Sequence, residues 1–294
     1  MENDRKALKV YLTVTFVLSA IIEGVWIFYG ELATQAGIST LLMCIPLISA
    51  IFVSRKFYEK QHALGFNRCN FVYIILAVLI PLVYLVLSYV LFWLFSKGSY
   101  IGNLSKLISY AANYSGKEIP DSIAIIISLI ITFPGCVITA LGEEAGWRGL
   151  MYPIMQRIWG WKKAIILSGC IWAVWHLPPV LAGLYLPDTV MIYRITAFSI
   201  EVFALTVIIT WIRMKSNSVW PAILFHAIHN YLDQVVLQSL TNNTNSAYFV
   251  GETGIITIFF TVLIAVLILF FAGNTVFGYS IHSWRWEFHE PEIG

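Results

Sequence analysis

Apolar residues in this chain come in long runs, and most charged residues fall in the short stretches between them. Eight runs stand out, at about 10–29, 36–53, 71–96, 122–142, 163–181, 190–212, 218–237 and 254–272. Each is close to the ~20 residues that an α-helix needs to cross a bilayer. The third is long and contains Pro81, which predicts a tilt or a kink. The first exceeds the apolar stretch of an ordinary secretion signal and lacks a small-residue cleavage site, so it reads as a span. There is no internal repeat and no low-complexity tract. The pattern predicts an all-α polytopic membrane protein, a bundle of about eight transmembrane helices, with residues 1–294 as a single membrane domain.

Composition supports that reading. The chain is 59% hydrophobic and 12% charged, with a mean hydropathy of +0.78, which leaves too little polar surface for a soluble exterior. A net charge of +2 gives no reason to expect nucleic acid, and the bilayer is the expected surrounding partner. The 4 cysteines, Cys44, Cys69, Cys136 and Cys170, form no C-x-x-C pair and read as buried small hydrophobes or idle thiols. Most Lys and Arg residues fall in alternate loops, among them Arg55, Lys56, Lys60, Arg68, Arg148 and Arg157; the opposite loops hold only Lys97, Lys106 and Lys117. That asymmetry predicts eight crossings with both termini in the cytoplasm, natural for a bacterial or archaeal plasma membrane.

Charge inside such a chain is costly and marks a working site. Glu143 and Glu144 follow the fourth run, with Arg148 four residues beyond Glu144. On a helix Glu144 and Arg148 share a face in the favourable order, and Glu143 points about 100° away. One carboxylate balanced by arginine leaves the other poised to accept a proton. His176 ends Trp172-Ala-Val-Trp-His176, so an indole is expected beside the imidazole, and Pro178 and Pro179 are expected to break or end the helix. His226, His229, Asn230 and Asp233 form a polar stripe on one helical face. There His226 and Asn230 are placed to donate to an oxyanion, and Asp233 to orient His229. Glu23, Arg194 and Glu201 read as structural pairs or snorkelling charges. Trp26, Tyr29, Trp211 and Trp220 read as an interfacial belt. Depths are a difficulty: His176 falls ~20 Å and His226 ~12 Å from the cytoplasmic ends of their runs, and Glu143 sits at the end of its own. A tilted span, or a Glu-bearing helix that dips into the bundle around a cytoplasm-facing cavity, is needed to bring them together.

The ordered trio Glu143-Glu144-x-x-x-Arg148, Trp172-x-x-x-His176 and His226-x-x-x-Asn230 resembles the CPBP family of type II CAAX prenyl proteases and bacteriocin-processing or immunity proteins. The family pattern has Phe where Trp172 stands. The resemblance covers about residues 120–235, the expected core. It implies an eight-helix fold and an intramembrane endopeptidase that hydrolyses a peptide bond in a membrane-associated peptide or lipidated, prenylated protein. It further implies that Glu143 and His176 activate water, that His226 and Asn230 stabilise the oxyanion, and that Glu144 and Arg148 position the site.

Two mechanisms stay open. Glu143, His176 and His226 are able to ligate Zn²⁺ if the protein is a metalloenzyme. The metal-free alternative is preferred, because an amide such as Asn230 suits an oxyanion hole better than a zinc site. The competing function is a catalytically silent membrane protein of the same fold, acting in bacteriocin immunity or as a scaffold. A proton-coupled transporter lacks its repeated broken helices here, and a haem protein would use His176 with His226 or His229.

Overall fold

A computed structural model describes residues 2–35, 37–58, 64–101, 121–242 and 245–272. Lys60, Lys106 and Lys117, which enter the loop-charge asymmetry, lie outside the described residues. The main helices are α1 (Glu2–Tyr29), α2 (Ile38–Phe57), α3 (Phe71–Phe95), α4 (Phe133–Gly146), α5 (Tyr152–Leu181), α6 (Met191–Ser216), α7 (Trp220–Asn230) and α8 (Ile255–Ala272). Five described helical stretches are long and apolar enough to cross a membrane: Glu2–Tyr29, Ile38–Phe57, Phe71–Phe95, Ile125–Leu181 and Met191–Ser216. The chain is an all-α, multi-pass integral membrane protein. The expected count of eight crossings goes beyond these five.

Local sequence explains the ends. Asn70 caps α3 by accepting a hydrogen bond from the Val72 amide at 3.0 Å. Proline stands in the first turn of α7, where its missing N–H costs little, and Pro134 and Pro153 each come just after a π-helical turn within continuous helix. Asn217, at φ 53°, closes α6 in the left-handed conformation that asparagine tolerates. Pro81 does not interrupt α3, which runs through it. Pro178 and Pro179 sit in the last turn of α5, which ends at Leu181 as their chemistry requires.

The largest departure from the sequence pattern lies between the fourth and fifth runs, where a cytoplasmic loop was expected. The chain stays helical from α4 through a π-helical turn, Trp147–Met151, into α5. The break comes later, at Gly160 (φ 76°, ψ 164°), a backbone conformation suited to glycine. The 57 residues of Ile125–Leu181 would measure about 85 Å as a straight helix, so a break is needed to fold them within a membrane. Arg148, read as a loop charge, is therefore fully buried in the bundle. Trp26, read as part of the interfacial belt, is also buried, and its indole donates to Thr34 Oγ1 at 2.8 Å.

The exterior is apolar, and the largely hydrophobic interior also holds charge. Phe28, Leu94, Ile192 and Phe270 point outward, and Glu143, Glu144, Arg148, Glu201, His229 and Asp233 lie inside. Helix α7 sits centrally against α3, α4 and α6; α2 packs on α1 and α4, and α6 on α5 and α8. At one end, Asp4 of α1 accepts from the Tyr58 hydroxyl at 2.8 Å and pairs with Arg157 of α5 at 2.6 Å, which ties three elements together. The cysteines are free thiols; three are half-buried and Cys170 is exposed, so packing in the interior is not their common role.

Candidate active site

The site begins with a close approach of two backbones. Gly142 and Gly146, four residues apart on α4, face α2. A Cβ at Gly142 would lie 2.3 Å from the Met43 carbonyl oxygen, and one at Gly146 would lie 2.5 Å from Pro46 Cβ and 2.7 Å from the Tyr11 hydroxyl. Small residues at this spacing let membrane helices meet at the main chain. The pair that does so brackets Glu143 and Glu144, which are thereby held inside the bundle.

Glu143 is 2% exposed and faces α5. Its Oε2 accepts a hydrogen bond from the Trp172 indole at 2.7 Å. The same oxygen stands 4.0 Å from His176 Nε2, a separation that suits one bridging water better than a direct bond. His176 Nδ1 lies 3.0 Å from the Trp172 carbonyl, which can only accept, so Nδ1 carries a proton and the ring turns Nε2 toward Glu143. The rings of Trp175, Tyr185 and Phe198 surround the imidazole with centroids at 4.7, 6.2 and 5.3 Å. The expected packing of Trp172 beside His176 is present, edge to face at 5.9 Å.

Glu144 is held by two cations or cation-forming groups. Arg148 Nη1 donates to its Oε1 at 3.0 Å, with both side chains fully buried. His226 Nδ1 donates to the same oxygen at 2.8 Å. The Arg148 guanidinium also lies over the Trp172 ring, 4.2 Å from its centroid, and reaches Thr206 Oγ1 at 3.3 Å. Two helical turns of α4 and its π-turn, one turn of α5 and one of α7 thus meet around a single indole.

A cavity of about 280 Å³ opens here, near the roughly 300 Å³ lower limit of ordinary ligand pockets. Glu143, Trp172, His176, His226 and Asn230 all line it. The predicted mismatch in depth disappears because the Glu-bearing helix continues through the bundle. The polar stripe on α7 does not act as one unit. His229 Nδ1 is hydrogen-bonded to the Tyr84 hydroxyl, and Asp233 Oδ1 accepts from Tyr89 at 2.7 Å, so Asp233 does not orient His229. Arg194 and Glu201 do not pair either: Arg194 Nη1 donates to the Leu186 carbonyl, and Glu201 accepts from Thr261. Glu252, Tyr185 and Trp26, which no sequence motif marks, also line the cavity.

The pattern of the type II CAAX prenyl endopeptidase Rce1-like family matches residues 125–232, the segment that supplies the Glu143, Trp172, His176 and His226 contacts. Over that segment the chain is similar to this family. It is also similar to CAAX prenyl protease 2 of Methanococcus maripaludis, 27% identical over 257 residues, which cover 84% of this chain and 89% of that protein.

A phenylalanine at position 172 would lack the donor of the hydrogen bond that Trp172 makes to Glu143. Zinc is not well served by Glu143, His176 and His226 as they stand. Among the described residues, the one group of three ligand-type side chains whose donor atoms all lie within 4.8 Å of one another is His229, Asp233 and Glu252. The Nδ1 bonds of His176 and His226 leave both Nε2 atoms free, so it is the spread of the donor atoms, and not their hydrogen bonding, that speaks against a shared ion.

Proposed function

We propose that this chain is an intramembrane endopeptidase that hydrolyses a peptide bond in a membrane-associated protein or peptide with water activated by Glu143 and His176. The observation that carries the reading is the 4.0 Å gap between Glu143 Oε2 and His176 Nε2, open to the cavity and braced by the Trp172 indole. A water in that gap gives its proton to the Glu143 carboxylate as its oxygen attacks the scissile carbonyl carbon. His176 accepts the second hydrogen bond of that water and fixes its lone pair on the carbonyl. His226 and Asn230 face the resulting oxyanion. With Nδ1–H bound to Glu144, donation from His226 Nε2 requires the imidazolium, and Glu144 supplies the balancing charge. Collapse of the tetrahedral intermediate breaks the C–N bond, and Glu143 returns its proton to the leaving amine.

Arg148 and Glu144 position the site in this scheme, and no step passes through a metal. The name of the archaeal relative makes a prenylated C-a-a-X tail the first substrate to test. The Lys and Arg asymmetry supports an N-terminus on the cytoplasmic side. The deciding experiment compares purified wild type with Glu143→Gln on lipidated and unlipidated peptides, with and without Zn²⁺ and a chelator. Cleavage by wild type alone supports the assignment. Equal cleavage by both removes Glu143 from the mechanism, and an inert, well-folded wild type across the panel supports the immunity or scaffold reading.

A further inference from the structure

A second group of ionisable side chains borders the same cavity and takes no part in the hydrolytic scheme. His229, Asp233 and Glu252 are 1%, 0% and 7% exposed, and one donor atom from each lies within 4.8 Å of the other two. His229 and Asp233 are four residues apart across the junction of α7 with its π-helical extension, Tyr231–Leu237. Glu252 arrives from the loop before α8. Gly251, at φ 86°, makes that turn, and its position lies against the Asp233 carboxylate: a Cβ there would sit 3.7 Å from Oδ2.

His229 and Asp233 are each gripped on one atom by a neutral neighbour, and Glu252 on both of its oxygens. Tyr84 holds His229 Nδ1, and Tyr89 donates to Asp233 Oδ1. Gln234 donates to Glu252 Oε1 at 2.9 Å, and Tyr185 donates to its Oε2. The remaining atoms, His229 Nε2 and Asp233 Oδ2, are buried and have no hydrogen-bond partner. Among the described residues, no Lys or Arg lies within 4.0 Å of either carboxylate. Two buried carboxylates without a counter-charge are costly. Orienting partners on one atom, with a lone pair left on another, are what ligating imidazoles and carboxylates carry.

We propose that His229, Asp233 and Glu252 bind a divalent transition-metal cation, with Zn²⁺ as the probe, at a site separate from the proposed base Glu143. One imidazole and two carboxylates neutralise a dication and suit Zn²⁺ or Mn²⁺. Ligation draws the donor atoms toward the roughly 3.3 Å edge of a zinc tetrahedron. The cation thereby ties the loop that carries Glu252 to α7 and fixes that wall of the cavity.

The test needs no substrate. The full chain in detergent micelles is stripped with a chelator and dialysed against Zn²⁺, and bound metal is counted by mass spectrometry. Wild type and Glu143→Gln are expected to bind about one equivalent, and Asp233→Asn and Glu252→Gln at least about tenfold more weakly. Tyr89→Phe changes no charge and keeps the test decisive if the charge variants do not fold; it too is expected to weaken binding about tenfold. The proposal is overturned if wild type binds no stoichiometric Zn²⁺. It is equally overturned if Asp233→Asn, Glu252→Gln and Tyr89→Phe all bind like wild type, or if binding is lost in Glu143→Gln and kept in Asp233→Asn. A site shared by Asp233 and Glu252 through a proton alone would give the first of these results.

Discussion

Two polar clusters share one cavity and are balanced by opposite means. Around Glu144, charge meets charge: Arg148 and His226 both donate to one oxygen, fully enclosed. Around Asp233 and Glu252 the donors are neutral, two tyrosines and a glutamine, and lone pairs are left over. The first cluster is balanced in charge, although Glu144 Oε2 and Arg148 Nε have no hydrogen-bond partner. The second is one positive charge short, or two. A buried ionic group is therefore informative less by its presence than by whether its partners cancel it.

Removing a cation from the balanced cluster tests that contrast hardest. Arg148→Met leaves Glu144 with only His226, and breaking a buried pair in this way costs on the order of 3–5 kcal/mol. Unfolding in detergent would show the drop, with turnover lost alongside; an unchanged midpoint would mean that the pair contributes nothing. Glu143→Gln is expected to act on chemistry alone. Cleavage should fall by about 10³-fold, in the range of general-base catalysis, at nearly constant stability. Trp172→Phe keeps the aromatic volume and removes the indole donor. About 1 kcal/mol of hydrogen bonding is at stake, or roughly a fivefold loss of turnover, and full activity would show that Glu143 needs no such brace. The smallest change reverses sign. In chelator-stripped protein, Glu252→Gln removes an uncompensated negative charge and should raise the unfolding midpoint slightly, by about 1 kcal/mol of stability. A fall comparable to that of Arg148→Met would show the second cluster to be as self-sufficient as the first.

What the sequence revealed depended on how local the relevant contact is. The Glu144–Arg148 pair was legible because four residues on a helix bring two side chains onto one face. The apolar runs gave the helices at 38–57, 71–95 and 191–216 nearly to their ends, since lipid demands an unbroken apolar exterior. The stretch after residue 142 was read as a loop because polar residues in an apolar chain resemble a span's end. Nothing local says that Arg148 turns inward, for its partners Thr206 and the Trp172 ring come from other helices. The indole bond to Glu143 crosses 29 residues and the His226 bond to Glu144 crosses 82, beyond any periodic pattern. Glu252 stands in a loop with no repeat to mark it. The spacing of Gly142 and Gly146 was present in the sequence as a small-residue pair, but only its packing against Pro46 gives it meaning.

That glycine seam has a consequence for how the cavity responds to heat. Most distances in a protein interior are set by side chains, which hop between rotamers and give up conformational entropy when fixed. The offset between α2 and the turn that bears Glu143 is set by main chain against main chain, where there is no rotamer to populate. Warming is therefore expected to loosen the aromatic cage of His176 before it moves the backbone that bears Glu143. Thermal loss of function in this molecule would then begin on the histidine side of the water site, with the carboxylate still in place.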